Sequence, residues 1–119
     1  MSDLTSKLSS KSCTPCPKGS PALTDQQQAA FGKETPEWQV IEGSKIRREY
    51  KFKTYMDGVA WVQQAGQISD SEDHHPDISI FFRRVVIELW THTVNGLSEN
   101  DYILAAKLDH SYDSFPGKR

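Results

Sequence analysis

No stretch of this sequence reaches the roughly eighteen consecutive apolar residues that cross a bilayer. The chain also does not open on the apolar core of a secretory signal, so the expectation is a soluble, unexported, cytoplasmic protein. Charge of one sign is missing too: 14 Lys and Arg face 16 Asp and Glu, for a formal charge of -2 and a pI near 6.0. That balance argues against a nucleic-acid binder working through a basic face, and Arg47-Arg48 and Arg83-Arg84 are too short to make one. Cysteine is scarce, with 2 residues in the single motif Cys13-Thr-Pro-Cys16. A thioredoxin-like use needs the pair after a strand and opening a helix, and a closed zinc site needs two further ligands. Neither stands nearby in the sequence, so structural or incidental use is the expectation.

What is present suits one domain. A chain of 119 residues buries about two-thirds of the surface its unfolded form exposes, enough for a single core. The mean hydropathy of -0.63 is polar, in part because the chain starts with a Ser-, Lys- and Pro-rich segment. Residues 1–22 read as a flexible arm carrying the Cys-x-x-Cys, since such composition orders poorly unless something docks it. The domain proper is 23–119.

Thr24 with Gln27 forms a capping box that opens a short helix through Phe31, stopping by Gly32 or Pro36. Trp38 to Glu42 and Lys45 to Lys53 read as two strands around a turn at Gly43-Ser44, with Ile46, Arg48, Tyr50 and Phe52 on one face. Thr54 and Asp57 start the longest helix. Its stripe is expected on Tyr55, Val59, Val62 and Gly66, widened by Trp61, Ala65 and Ile68, and it ends near His74 because Pro76 follows. Ile78 to Phe82 reads as a short strand, and Val85 to Val94 as a β-branched one ending at Asn95-Gly96. Ser98 with Asp101 caps the last helix. The expected fold class is α+β, a four-stranded antiparallel sheet with helices packed on one face, in the order α-β-β-α-β-β-α.

Three of the 4 histidines fall in two clusters, Asp70-Ser-Glu-Asp-His74-His75-Pro76 and Thr91-His92-Thr93. Histidine exchanges a proton near neutral pH, so three together suit acid–base work or metal binding. The plainer reading is that His74-His75-Pro76 closes a helix and His92 sits on a strand. At a helix C-terminus the dipole favours a protonated imidazole. On the following strand, alternation places His92 with Val86, Glu88 and Trp90, opposite the core set Val85, Ile87 and Leu89. Asp101 has the position of an ordinary capping carboxylate, a role compatible with orienting a site.

The joint pattern resembles the pterin-4a-carbinolamine dehydratases: Asp70, then His74-His75-Pro76, an aromatic at Phe82, His92 in a Thr-His sequence, and Gly96-Leu-Ser-x-x-Asp101. The resemblance runs from about Leu23 to Leu108 and includes Trp38 before the first strand. It implies a single dehydratase-like domain that expels water from a 4a-hydroxytetrahydropterin to give the quinonoid dihydropterin. This is the tetrahydrobiopterin-recycling step after aromatic amino-acid hydroxylases, and it requires no metal or organic cofactor.

By the same analogy, His75 is the principal acid/base, with His74 and His92 as partners at the 4a-hydroxyl. Asp101 holds a histidine or shapes the pocket, Trp38 offers an aromatic wall, and Pro76 fixes the chain as it leaves the helix. Two positions depart from the family. Phe82 stands where tyrosine is common, and Asp70 is shorter than the glutamate of some members. The partners implied are the pterin, an aromatic amino-acid hydroxylase by function, and further copies of the chain as a homodimer or homotetramer, with no membrane and no nucleic acid. Two rivals remain. One is a zinc- or iron-dependent hydrolase, disfavoured because adjacent His74 and His75 diverge in an extended segment. The other is a non-catalytic pterin-binding or dimerisation protein of the same fold.

Overall fold

A computed structural model describes residues 7–119; residues 1–6 of the arm lie outside the described residues. The alternating run after Gly43 becomes a strand sealed on one side, with Ile46 and Tyr50, then Phe52 just beyond it, wholly buried. In chain order the elements are α1 (Asp25–Gly32), β1 (Gln39–Ile41), β2 (Lys45–Lys51), α2 (Tyr55–Ser71), β3 (Asp77–Phe81), β4 (Arg84–Leu89) and α3 (Glu99–Asp113). Short 3-10 turns at Leu8–Ser10 and His92–Val94 precede α1 and α3 respectively.

The strands form one antiparallel sheet, as the two hairpins imply, and the structure sets their order as β1-β2-β4-β3. Pairings such as Ile46 with Leu89 and Tyr50 with Val85 bring the apolar alternations of β2 and β4 onto the same face. The opposite face carries ion pairs: Lys45 and Arg47 approach Glu88, and Arg84 approaches Glu49. The β1–β2 turn centres on Glu42-Gly43, one residue earlier than expected. Both residues have positive φ, and the Ser44 N–H closes onto the Ile41 carbonyl at 3.0 Å.

Trp61 and Ala65 of α2 are buried in the core with Gly58 and Ser69 in line, and Val62 and Ile68 pack against it partly buried. The stripe is therefore rotated from the expected Tyr55–Val59–Val62 centre, and Tyr55 is exposed. Trp61 decides this. Its ring packs on Tyr50 at 4.4 Å and Phe52 at 5.6 Å between centroids, and Tyr112 and Phe115 of the C-terminal region complete the cluster. No helix among the described residues is long and apolar enough to cross a membrane.

Two boundaries that differ from expectation position the site. Helix α2 ends at Ser71, before His74. Asp73 adopts φ 51, the Asp73 N–H donates to the Asp70 carbonyl, and the His74 N–H donates to the Ser69 carbonyl, both at 3.1 Å. This is a Schellman closure with aspartate at the left-handed position, and it stops the helix before Pro76 acts. Strand β4 likewise ends at Leu89, not Val94. The Thr91 N–H bonds the Gly96 carbonyl at 2.8 Å, and the Gly96 N–H returns to the Thr91 carbonyl at 3.3 Å. The six residues so closed hold the His92–Val94 turn, with Asn95 left-handed at its end.

The described part of the arm is not detached. Leu8 is buried in the main core, and its N–H donates to Glu34 Oε1 at 2.9 Å. Lys11 pairs with Glu99, the Gly19 N–H bonds the Thr93 carbonyl, and the Leu23 N–H bonds the Leu97 carbonyl. The packing is thus continuous across the boundary expected between residues 22 and 23. The domain supplies the docking that the arm's composition lacks.

Candidate active site

Asp101 is the third residue of α3, and its carboxylate is wholly buried. One oxygen, Oδ2, accepts the Ser98 N–H at 2.9 Å and the Thr91 hydroxyl at 2.8 Å. The other, Oδ1, meets His74 Nε2 at 2.6 Å. The capping and orienting roles considered for Asp101 are thus combined in one side chain, because the Schellman end of α2 delivers His74 to a helix N-terminus. A buried carboxylate accepts hydrogen bonds and donates none, so the network assigns a proton to Nε2 and leaves Nδ1 as the nitrogen of His74 free to exchange one.

His74, His75 and His92 all line one cleft of about 400 Å³, in the range that takes a small heterocyclic ligand. His92 rises from the Thr91–Gly96 loop with its ring against Trp90, the centroids 3.8 Å apart. His75 stands at the rim with its side chain 59% exposed, and its Nε2 lies 3.1 Å from Asp70 Oδ1, itself 84% exposed. Such an exposed pair holds little energy. The remaining lining comes from Glu72 and Asp73 at the end of α2, Trp90, Thr91 and Thr93, Asn100 of α3, and Cys13–Cys16 of the arm.

Other expected site residues lie elsewhere. Trp38 is buried away from the cleft, and its Nε1–H donates to Asp109 Oδ1 at 3.0 Å. The same oxygen accepts from Arg48 Nη1 and the Tyr50 hydroxyl, both at 2.6 Å. Burial pushes the Asp109 carboxyl above its ordinary range despite these three donors, and burial followed by the Asp109 charge pushes up Tyr50. Trp38 therefore serves a structural polar node and forms no wall of the cleft. Phe82 sits in the β3–β4 turn, 70% exposed, against a different hollow with Arg83 and Arg84. Asp70 and Pro76 flank the cleft without lining it.

Three contributors were missed in the sequence: Thr91, Asn100 and the arm. Thr91 is half visible, as the residue preceding His92. The others depend on pairings across 59 to 86 positions and carry no local signal. Among the described residues, no group of three or more His, Cys, Asp or Glu side chains converges as a metal-ligand set.

Comparison with known proteins finds relatives over most of the chain. Residues 21–111 match the family model described as Pterin 4 alpha carbinolamine dehydratase. A protein of Rubrobacter xylanophilus, provisionally named a pterin-4-alpha-carbinolamine dehydratase, is 33% identical over 87% of this chain and 97% of its own length. One from Nitrosospira multiformis with the same provisional name is 39% identical over 86% and 89%. Among solved structures, a transcriptional coactivator/pterin dehydratase from Brucella melitensis superimposes with a TM-score of 0.72 at 29% identity, covering 76% of this chain and 98% of that one. A pterin dehydratase-like RuBisCO assembly factor of the alpha-carboxysome shares the fold, with a TM-score of 0.56 at 21% identity over 66% and 92%. Aligned over most of its length with relatives of this kind, the chain belongs to the pterin 4 alpha carbinolamine dehydratase family.

Proposed function

We propose that the cleft dehydrates a 4a-hydroxytetrahydropterin to the quinonoid dihydropterin and water, as a hydro-lyase in tetrahydrobiopterin recycling. The observation that carries this reading is the meeting of three histidines in one cleft, with His74 held from behind by the buried Asp101 carboxylate. The 4a-hydroxyl leaves as water once protonated, while a nitrogen-bound proton of the ring is lost as the C–O bond breaks. The reaction gains and loses one proton, so an acid and a base suffice and no redox step enters. Metal and organic cofactors have no part in this scheme.

His75 is assigned the acid/base role at the hydroxyl. Its exposure lets it recover its proton from solvent between turnovers. Nδ1 of His74, left free by the Asp101 contact, accepts the ring proton, and His92 on the Trp90 ring binds the hydroxyl or serves the opposite epimer. The chain is further proposed to be a cytoplasmic homo-oligomer supplied with substrate by an aromatic amino-acid hydroxylase.

Ultraviolet monitoring of carbinolamine decay tests the reading, with acceleration over buffer expected. The same fold acting only as a pterin-binding or dimerisation protein gives decay at the buffer rate, and that result overturns the assignment.

A further inference from the structure

The family match begins at residue 21, yet the cleft has a side built from residues before it. Cys13, Thr14, Pro15 and Cys16 line the cleft, and contacts at Cys13, Thr14 and Cys16 hold them there. The Cys13 N–H donates to Glu72 Oε1 at 2.8 Å, and Glu72 is itself paired with Lys107 at 3.0 Å. Asn100 grips Thr14 from both sides: Oδ1 accepts the Thr14 N–H at 3.0 Å, and Nδ2 donates to the Thr14 carbonyl at 2.6 Å. The same Nδ2 lies 3.4 Å from Cys16 Sγ, and the Cys13 thiol donates to the Asn100 carbonyl at 3.6 Å. Asn100 is buried, so these two hydrogen bonds to the arm satisfy an amide with little access to water.

We propose that Cys13–Cys16 is a substrate-contacting wall of the cleft, with Asn100 as the positioning residue that clamps it. This rests on the cleft being the pterin site. Asn100 takes up the peptide groups of Thr14, and Pro15 has no N–H to offer. What remains toward the ligand is the Thr14 hydroxyl and the rigid Pro15 ring, with the Cys16 sulfur beside them, held by the Asn100 amide and donating to the Thr14 carbonyl at 3.8 Å. These suit one side of a flat, partly polar heterocycle, and none of them takes part in the proton transfers. The Cys13 thiol is likewise unsuited to proton transfer, since burial and the Glu72 charge push it up to about 12. The wall therefore acts on affinity, not on chemistry.

The test uses the full chain, with Asn100→Ala and, as a change in the wall that leaves α3 intact, Pro15→Gly. Steady-state dehydration separates KM from kcat, and N-ethylmaleimide labelling with peptide mass analysis follows each cysteine with and without 7,8-dihydropterin. Asn100→Ala is expected to raise KM about tenfold, as for the loss of two modest hydrogen bonds, with kcat within about twofold. Cys13 labelling should accelerate in that variant, and dihydropterin should slow Cys16 labelling in the wild type and lose that effect in Asn100→Ala. Pro15→Gly should raise KM in the same direction.

Unchanged KM in both variants, or Cys16 labelling indifferent to dihydropterin in a wild type that accelerates dehydration, overturns the wall and leaves the dehydratase reading standing. A wild type that is protected by dihydropterin but does not accelerate decay overturns the dehydratase reading and supports the wall. A wild type with neither property overturns both.

Discussion

Replacing Asp101 with Asn separates two jobs that one carboxylate performs. The amide has the same shape, and with its oxygen where Oδ2 stands it keeps the bonds from the Ser98 N–H at 2.9 Å and the Thr91 hydroxyl at 2.8 Å. Its nitrogen then falls where Oδ1 now meets His74 Nε2 at 2.6 Å. Two donors would face each other there, so the imidazole shifts its proton to Nδ1. For the fold, one charge-assisted bond becomes a neutral one, a loss of about 1–2 kcal/mol. For the reaction, the nitrogen that should accept a proton already carries one. A single acid–base group contributes about 10²- to 10⁴-fold. With His75 and His92 intact, the lower end is expected: a fall in kcat/KM of about 100-fold, or about 2.7 kcal/mol in the barrier. Asp101→Ala also strips the α3 cap and leaves buried donors unpaired, with a stability loss of about 3–5 kcal/mol. Carbinolamine decay gives the rates, urea titration the stabilities, and imidazole nitrogen shifts the tautomer. An Asn variant within about threefold of wild type, a range too small for a lost acid–base group, would refute the orienting role.

Four further outcomes follow from the same geometry. His75→Ala should lose most of the acceleration yet melt within about 0.5 kcal/mol of wild type, because its side chain is exposed; unchanged turnover removes that residue from the mechanism. His74→Ala and His92→Ala should each lose part of the rate, by amounts that differ between substrate epimers; equal rates for both variants on both epimers defeat the division of labour. Burial opposes the Glu72 charge, but the Cys13 N–H and Lys107 outweigh it and hold the carboxyl below its ordinary 4.5. A lowered carboxyl contributes fully above its unfolded value and loses that contribution as pH falls through the folded one, so hydrogen-exchange protection of the Cys13 amide should drop on the acid side of 4.5. Protection that persists there separates the arm from Glu72. Arg48→Leu should cost about 3–5 kcal/mol in urea, since it leaves the Asp109 carboxylate buried with its cation gone; a loss near zero shows that Trp38 and Tyr50 suffice.

Local chemistry made the frame legible and long-range pairing decided the rest. Thr24, Thr54 and Ser98 each precede a helix at the expected place, and the alternation of β2 and β4 names the core face correctly. These signals act within a few residues, where side-chain caps and strand periodicity operate. The end of α2 was misplaced because a proline is a visible stop, whereas Asp73 in a left-handed conformation is a less visible one. β-Branched Thr91 and Val94 extend the expected strand through His92, yet the bonds between Thr91 and Gly96 fold that segment back on itself. Resemblance alone suggests Trp38 as a wall, but its Nε1–H finds Asp109 in a distant part of the chain.

These misread boundaries are also what builds the site. A helix α2 running on to His74 would keep that residue within the helix, away from the base of α3. The Schellman turn instead reverses the chain three residues early and brings Nε2 onto Asp101. A strand β4 continued through His92 would hold Thr91 in the sheet ladder, with its hydroxyl away from the carboxylate. The Thr91–Gly96 closure frees that hydroxyl for Oδ2 and lifts His92 to the cleft. Asp101 therefore joins the end of α2, the loop after β4 and the start of α3 at one buried point. Anything that moves one of them displaces a histidine as well as a helix terminus, so stability and turnover should fall together for substitutions at Thr91 and Ser98, whereas Asp101→Asn, which keeps the cap, should cost turnover more than stability.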